Sequence, residues 1–363
     1  MLLKFSVTQL FLLSSFALAS SQGTFEQLAQ SASQAREANR VDDAITLYES
    51  ALAMQPAWPQ GLFFLGSLLY DSDRFAAAES ALDRFVKSTP DATPAFGLLG
   101  LCEFETGHYA ASLKHIQQAP AQEGQMGAVL RFHEAQLLAK TGDYDKSLQV
   151  YSTFLQNGEA PKSVVEPLGI AALRQPLMAR EIPPTQHDLY IAAGQTAAAI
   201  LSGDDQRSRA ALADLLERFP NSAGVHFVNG FYYVAQKPDL AVEEFKRELT
   251  INASNVSANS MLAWLLLSRR ETSIAVPYAK RAFSAASDDP MALYVYGRAL
   301  SESGQVPQGI AILEKALKAD PQNLETHLAL TSAYSKAGRT MEARAERQRS
   351  LLLAREVTPV YIH

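Results

Sequence analysis

Apolar residues along this chain recur at steps of three and four, the spacing that gathers them on one face of an α-helix. Between Ala57 and Tyr70, Leu62, Leu65 and Leu69 share such a face. The run Ala311-Ile-Leu-Glu-Lys-Ala-Leu-Lys-Ala-Asp-Pro321 steps in the same way and ends at a proline that cannot continue a helix. Short polar turns, Thr141-Gly-Asp-Tyr144 and Ser303-Gly-Gln305 among them, break one helix and open its antiparallel partner. Strand patterns are almost absent, so the chain reads as all-α.

The helical segments repeat. Pro56 and Pro90 stand 34 residues apart, as do Gly66 and Gly100, and Gly304 and Gly338, while Gly107 and Gly142 stand 35 apart. Pro220, Pro290 and Pro321 occupy contexts equivalent to Pro56. A glycine inside a helix, such as Gly66 or Gly100, costs about 1 kcal/mol relative to alanine. Its presence points to a second helix approaching closely there. One helical pair cannot cover its own apolar face, so the pairs are expected to stack.

This set of marks resembles the tetratricopeptide repeat, whose period is 34 residues and whose pattern is W-x2-L-G-x2-Y followed by A, F and P. The clearest copy spans about 291–321, with Leu293, Tyr296-Gly297, Leu300, Leu313, Ala316 and Pro321 in the pattern's slots. Further copies carry His327, Leu330, Tyr334, Gly338 and Ala343; Leu28, Ala32, Ala44, Tyr48, Ala51 and Pro56; and Leu62, Leu65-Gly66, Leu69, Ala78, Leu82 and Pro90. Weaker copies lie near 93–120, 128–155, 189–220, 223–253 and 259–290. Most copies lack the tryptophan, and Pro290 to Pro321 is shortened to 31 residues. The resemblance implies a right-handed α-solenoid of stacked antiparallel helix pairs.

Two stretches depart from the repeat. Residues 1–19 join a positive start at Lys4, an apolar run from Phe5 and an Ala17-Leu-Ala19 end, which reads as a signal peptide cut before Ser20. The run is shorter than the roughly 20 residues a bilayer crossing needs, which disfavours an anchor. An exported protein, periplasmic or secreted, is therefore expected, with no transmembrane segment after the signal is removed. Residues 157–187 hold Pro161, Pro167, Pro176, Pro183 and Pro184. They read either as a divergent helix around Leu168–Arg174 with an ordered connection, or as a flexible linker. The organisation expected is a repeat block over 20–156, this connection, and a second block over 188–363 with a capping helix.

Composition narrows the function. A hydrophobic fraction of 47% supplies a packed core and excludes wholesale disorder. A formal charge of -6 argues against a nucleic-acid footprint, which needs a clustered basic excess. Cys102 is the only cysteine, so no intramolecular disulfide and no thiolate metal site can form, and it reads as a small core residue.

Catalytic patterns are missing: no H-E-x-x-H, G-x-S-x-G or P-loop sequence occurs. His108 and His115 lie seven apart without a completing ligand set, and His226 and His327 fall in large apolar slots of their repeats. Asp143-Tyr-Asp145 lacks the glycine and glutamate of a calcium loop and reads as a repeat turn. Asn252 and Asn255 head acceptor sequences for glycosylation but read better as helix caps. Arg339, Arg344, Arg347, Arg349 and Arg355, interleaved with Glu342, Glu346 and Glu356, read as a solvated capping-helix face. No enzyme, metal or cofactor is expected.

The resemblance instead implies a binding groove lined by the first helix of each pair. Carried over by repeat alignment, groove positions include Phe63, Tyr70, Phe104, Phe132, Phe227, Phe231, Arg270, Tyr294 and Arg298, with packing between repeats as the rival role for Phe104, Phe132 and Phe227. Tyr294 and Arg298 are the strongest pair, one turn apart on a well-defined helix. The slots that hold lysine and asparagine in chaperone-tail clamps carry Ala29, Ser33, Leu328 and Ser332, so that recognition is not expected. The function expected is a non-catalytic scaffold holding a protein or peptide, with a self-associating structural subunit of an envelope or secretion-related assembly as the alternative.

Overall fold

The structure is a computed structural model that describes residues 24–121 and 124–356, the side chains of Arg355 and Glu356 excepted. The expected signal peptide at 1–19 lies outside the described residues. Contacts divide the chain into two compact units, one ending at Phe154 but including Pro176–Met178, the other formed by Leu155–Gln175 and the residues from Ala179 on. Among the described residues no strand occurs, only a single bridge between Gln156 and Glu159.

The first unit holds α1 (24–37), α2 (Val41–Met54), α3 (Pro59–Asp71), α4 (Phe75–Ser88), α5 (Thr93–Thr106), α6 (Tyr109–Gln118), α7 (Gly124–Lys140) and α8 (Tyr144–Ser152). The second holds α9 (Lys162–Ala172), α10 (His187–Leu201), α11 (Asp205–Arg218), α12 (Val225–Tyr233), α13 (Pro238–Ile251), α14 (Val256–Ser268), α15 (Thr272–Ala285), α16 (Pro290–Glu302), α17 (Val306–Ala319), α18 (Leu324–Lys336) and α19 (Thr340–Glu356). Consecutive helices pack as pairs, and the first helices also touch one another, α3 with α5 and α5 with α7, α14 with α16 and α16 with α18. The second helices do not meet to that extent, so the first helices form the inner layer of each unit. The all-α fold of stacked helix pairs agrees with the sequence pattern.

Local signals set the helix ends. Asp143, Asp204, Asn255, Asp289 and Asn323 cap helices by accepting the backbone N–H three residues on. Asn255 thus caps α14, as its sequence context suggests, and Asp143 caps α8. After the first helices, α12 excepted, the chain turns through a residue of positive φ: Asn39, Asp73, Gly107 and Gly142 in the first unit, and Gly203, Arg270, Gly304 and Gly338 in the second. The repeat period is written in these turns, because a left-handed step ends a helix and reverses the chain within a few residues.

The helical glycines mark close approaches. A Cβ on Gly66 would stand 2.5 Å from Leu82 Cγ, and one on Gly297 would stand 2.8 Å from Leu313 Cγ. Each glycine therefore admits the second helix of its own pair. Cys102 is fully buried within the core of the first unit, and burial pushes its thiol up to about 12.

The proline-rich stretch is a truncated pair. Its helix, α9, starts at Lys162 and so is longer than the Leu168–Arg174 piece the prolines suggest, with Pro167 inside it. After a positive-φ turn at Arg174 no second helix forms; residues 175–178 run without regular structure, followed by 3-10 turns at Ala179–Glu181 and Pro184–Gln186. Without that partner α9 packs on α10 through glycines: a Cβ on Gly169 would meet Tyr190 O at 1.9 Å, and one on Gly194 would meet Val165 O at 1.8 Å.

Candidate functional site

In the second unit, α14, α16 and α18 lie side by side and line a trough of about 410 Å³. α16 contributes Tyr294, Arg298, Ser301 and Glu302, which fall on one helical stripe. The neighbouring stripe, with Leu293 and Gly297, packs inward. α18 contributes Glu325, Leu328, Ser332 and Lys336, and α14 contributes Trp264 and Ser268. Leu328 is 51% exposed, and Trp264 is half-buried. The floor is apolar, and the rim carries both signs of charge.

Arg298 is held from three sides. Its Nε donates to Glu302 Oε1 at 2.7 Å, Nη1 to Tyr294 Oη at 3.2 Å and Nη2 to the Leu267 carbonyl at 3.1 Å. Thr272 donates to the other oxygen of Glu302 at 3.1 Å. Burial works against the Arg298 charge, and the Glu302 bond more than restores it. Burial also raises the Tyr294 phenol. Lys336 donates to the Ser301 carbonyl at 3.3 Å and stands at the opposite end of α18 from Glu325, roughly 16 Å along the axis.

The structure brings Tyr294 and Arg298 together, though Tyr294 is only 5% exposed and Arg298 ties α16 to the end of α14. Counted back from the positive-φ turn, Phe63 and Phe132 occupy the same position in α3 and α7 as Tyr294 does in α16. Phe63 packs against Phe64 and Phe85, and Phe132 against Tyr151 and Phe154, so both are half-buried. Tyr70 stacks edge-on to Phe75. Phe104 is buried beside His133 with centroids 4.5 Å apart, and Phe227 is buried against Phe245. Phe231 keeps 43% exposure beside the Arg174 guanidinium, 5.7 Å from its ring.

Arg270 does not lie on the first helix. α14 ends at Ser268, and Arg270, at φ +64°, fills the left-handed turn where the following repeats have Gly304 and Gly338. Alignment by residue type missed this because an arginine gives no turn signal. The α14 residue in register with Arg298 is Trp264, six before the turn.

The histidines are partnered rather than merely packed. His226 and His327 each set one ring nitrogen against a carboxylate, Glu244 at 2.6 Å and Glu346 at 2.5 Å, and the other against the carbonyl of Pro220 or Pro321. Glu346 is therefore buried, which corrects its reading as part of a solvated face, while Arg339 does pair with Glu342 on the surface. His115 meets Glu103 at 2.7 Å and His108 meets Glu79 at 2.8 Å. Among the described residues no group of three or more His, Cys, Asp or Glu is placed to hold a metal ion. No helix among them is long and apolar enough to cross a membrane.

Tetratricopeptide repeat family models match residues 30–92, 63–126 and 260–324, a second such model matches 300–356, and a third matches 188–222. Comparison with curated proteins finds no match. Solved structures similar to this chain include a crystal structure of MamA at 20% identity, covering 44% of this chain and 95% of that one with a TM-score of 0.38. MamA 41-end from Desulfovibrio magneticus RS-1 is 19% identical, covers 47% and 97%, and has a TM-score of 0.40. YrrB, a TPR protein with an unusual peptide-binding site, is 19% identical, covers 46% and 86%, and has a TM-score of 0.37.

Proposed function

The chain belongs to the tetratricopeptide repeat family, and from that premise we propose that it is a non-catalytic scaffold that holds a partner protein or peptide in the trough of α14, α16 and α18. The observation that carries this is the exposed Leu328 over a floor that includes Trp264 and Tyr294, with Lys336 and Glu325 at the rim. Aromatic and aliphatic anchors surrounded by charge are the chemistry by which binding surfaces gain affinity and register.

The residues to substitute are Leu328 and Lys336, because both are exposed. Tyr294 and Arg298 hold the unit together, so their loss would confound binding with folding. Affinity capture with wild type, Leu328→Glu and Lys336→Glu tests the reading. A partner held by the wild type and lost from Leu328→Glu, at unchanged helical content by circular dichroism, supports the trough. Undiminished capture by both variants would move the binding face elsewhere.

Export belongs to the same proposal: residues 1–19 have the composition of a signal peptide, and the intact mass of the protein from its native host would show an N-terminus at Ser20. A second reading, self-association, draws on α19, where Leu351 and Leu352 are 56% and 58% exposed. Light scattering separates the two: an oligomer that dissociates in Leu351→Glu but binds its partner normally assigns α19 to assembly.

A further inference from the structure

We propose that the outer face of the last three second helices, α15, α17 and α19, seats the second unit on an anionic lipid surface. Cations on this face meet the phosphate headgroups, and exposed apolar side chains beside them enter the interface. The face belongs to the second helices, so it leaves the trough of the first helices free and does not depend on a partner held there.

The chain as a whole is acidic, with a formal charge of -6, yet this face is basic. Arg281, Lys315 and Arg349 each stand eleven residues after a positive-φ turn, at Arg270, Gly304 and Gly338, and so hold one register 34 residues apart. All three are exposed, as are Lys280 and Lys318 on the helical arc beside them. The run of cations is not a property of the repeat. After the turns at Asn39, Asp73, Gly107, Gly142 and Gly203 the same position holds Ser50, Arg84, Gln118, Thr153 and Asp214. On α13 Arg247 continues the spacing, but Asp239 and Glu243 are exposed there, so the basic surface ends at α15.

Among the described side chains of α15, α17 and α19 every acid is engaged. Glu314 accepts from Tyr334 at 2.7 Å, Glu342 accepts from Arg339 at 2.9 Å, and Glu346 is buried against His327. Arg349 reaches Glu346 from outside at 3.0 Å, and Arg281 lies over the Tyr278 ring at 4.6 Å, which leaves its charge in place. Asp288, exposed in the turn after α15, bounds the surface at that end. The apolar residues favour lipid over a soluble polyanion. Ile274 is 51% and Met341 71% exposed, each about two helical turns from the cation of its own helix, Arg281 or Arg349. A polyanion in water gives such side chains nothing to bury them, whereas a membrane interface takes both charge and apolar bulk. Each Lys or Arg near an anionic leaflet strengthens attachment about fivefold, so this face can hold the protein there without a membrane-spanning helix.

Sedimentation of the full chain with vesicles tests this, using phosphatidylcholine with roughly one-quarter phosphatidylglycerol, and phosphatidylcholine alone. The wild type is expected to pellet with the anionic vesicles and not the neutral ones, and to be released by salt. Lys315→Glu combined with Lys318→Glu should weaken binding by about tenfold or more at unchanged helical content. The same charge change at Lys114 and Lys162, exposed on α6 and α9, should leave it within about twofold of wild type. Met341→Ser is expected to weaken it about threefold while keeping the salt dependence. No pelleting, equal losses in the two double variants, or undiminished binding by Met341→Ser would each overturn the proposal. Retention on immobilised heparin without vesicle binding would overturn it in favour of a soluble polyanion.

Discussion

His327 on α18 and Glu346 on α19 meet at 2.5 Å, nearly enclosed, and the far ring nitrogen faces the Pro321 carbonyl at 3.1 Å. The arrangement recurs three helix pairs earlier in the same unit as His226, Glu244 and the Pro220 carbonyl. In both, the histidine ties the inter-repeat turn to the second helix of its own pair, and an arginine three residues on, Arg349 or Arg247, holds the carboxylate from outside.

Removing the imidazole strands a buried carboxylate. His327→Ala is therefore expected to destabilise the second unit by about 3 kcal/mol, since breaking a buried pair leaves one charge uncompensated. Urea unfolding followed by circular dichroism checks this. A loss within experimental error of an exposed alanine substitution would show that Arg349 alone suffices for Glu346.

The α9–α10 contact admits no side chain at its centre. Gly169→Ala and Gly194→Ala each drive a methyl to within 2 Å of a backbone carbonyl oxygen, at 1.9 Å and 1.8 Å before relaxation. Each is expected to cost about 3 kcal/mol, at the upper end for overpacking because backbone cannot rotate away. Gly304→Ala, where nothing lies within 4 Å, meets only the left-handed turn at φ +92° and should cost about 1 kcal/mol. A reversed order in thermal melts would mean that α9 and α10 separate readily.

Arg270 pays the opposite penalty, holding φ +64° with a full side chain. Replacing it by glycine is expected to leave stability unchanged or raise it by up to about 1 kcal/mol, the left-handed strain relieved being offset partly by the entropy of glycine when unfolded. A clear loss in the melting temperature of Arg270→Gly would instead assign the guanidinium a structural contact.

Acid should loosen the first unit through His133. Its ring lies beside Phe104, its Nδ1 donates to the Val129 carbonyl at 2.8 Å, and burial holds its pKa below the ordinary 6.5. The unfolded chain therefore binds the extra proton first, so this contribution is complete above about pH 6.5 and is lost as pH falls toward the depressed folded value. Unfolding midpoints measured between pH 7.5 and 5 should fall for wild type and fall less for His133→Gln. Parallel slopes would assign the acid sensitivity to other groups.

Much of the inner layer was legible because periodicity and turn glycines survive substitution. Tyr294 and Arg298 could be paired from their spacing, and Gly66 and Gly100 announced helix contacts that the Leu82 and Ile116 side chains indeed make. The turn at Arg270 gives no sequence signal, since its left-handed geometry is imposed by the helices it joins, while Asn39 and Asp73, whose short side chains tolerate that region, signal it more weakly than glycine does. For the same reason Trp264 went unremarked, although counting back six residues from a known turn would have placed it in the trough.

Sequence by itself determined the all-helical class, the period and the repeat family, because each rests on local spacing of apolar residues and on the backbone freedom of glycine and proline. Tertiary structure alone decided which first-helix residues face open space and which are covered. Leu101 and Ser332 hold one register, yet the first is sealed within a cluster that includes Met178 and the second is bare. Exposure of that kind depends on what distant chain segments do, and a repeat pattern carries no record of it.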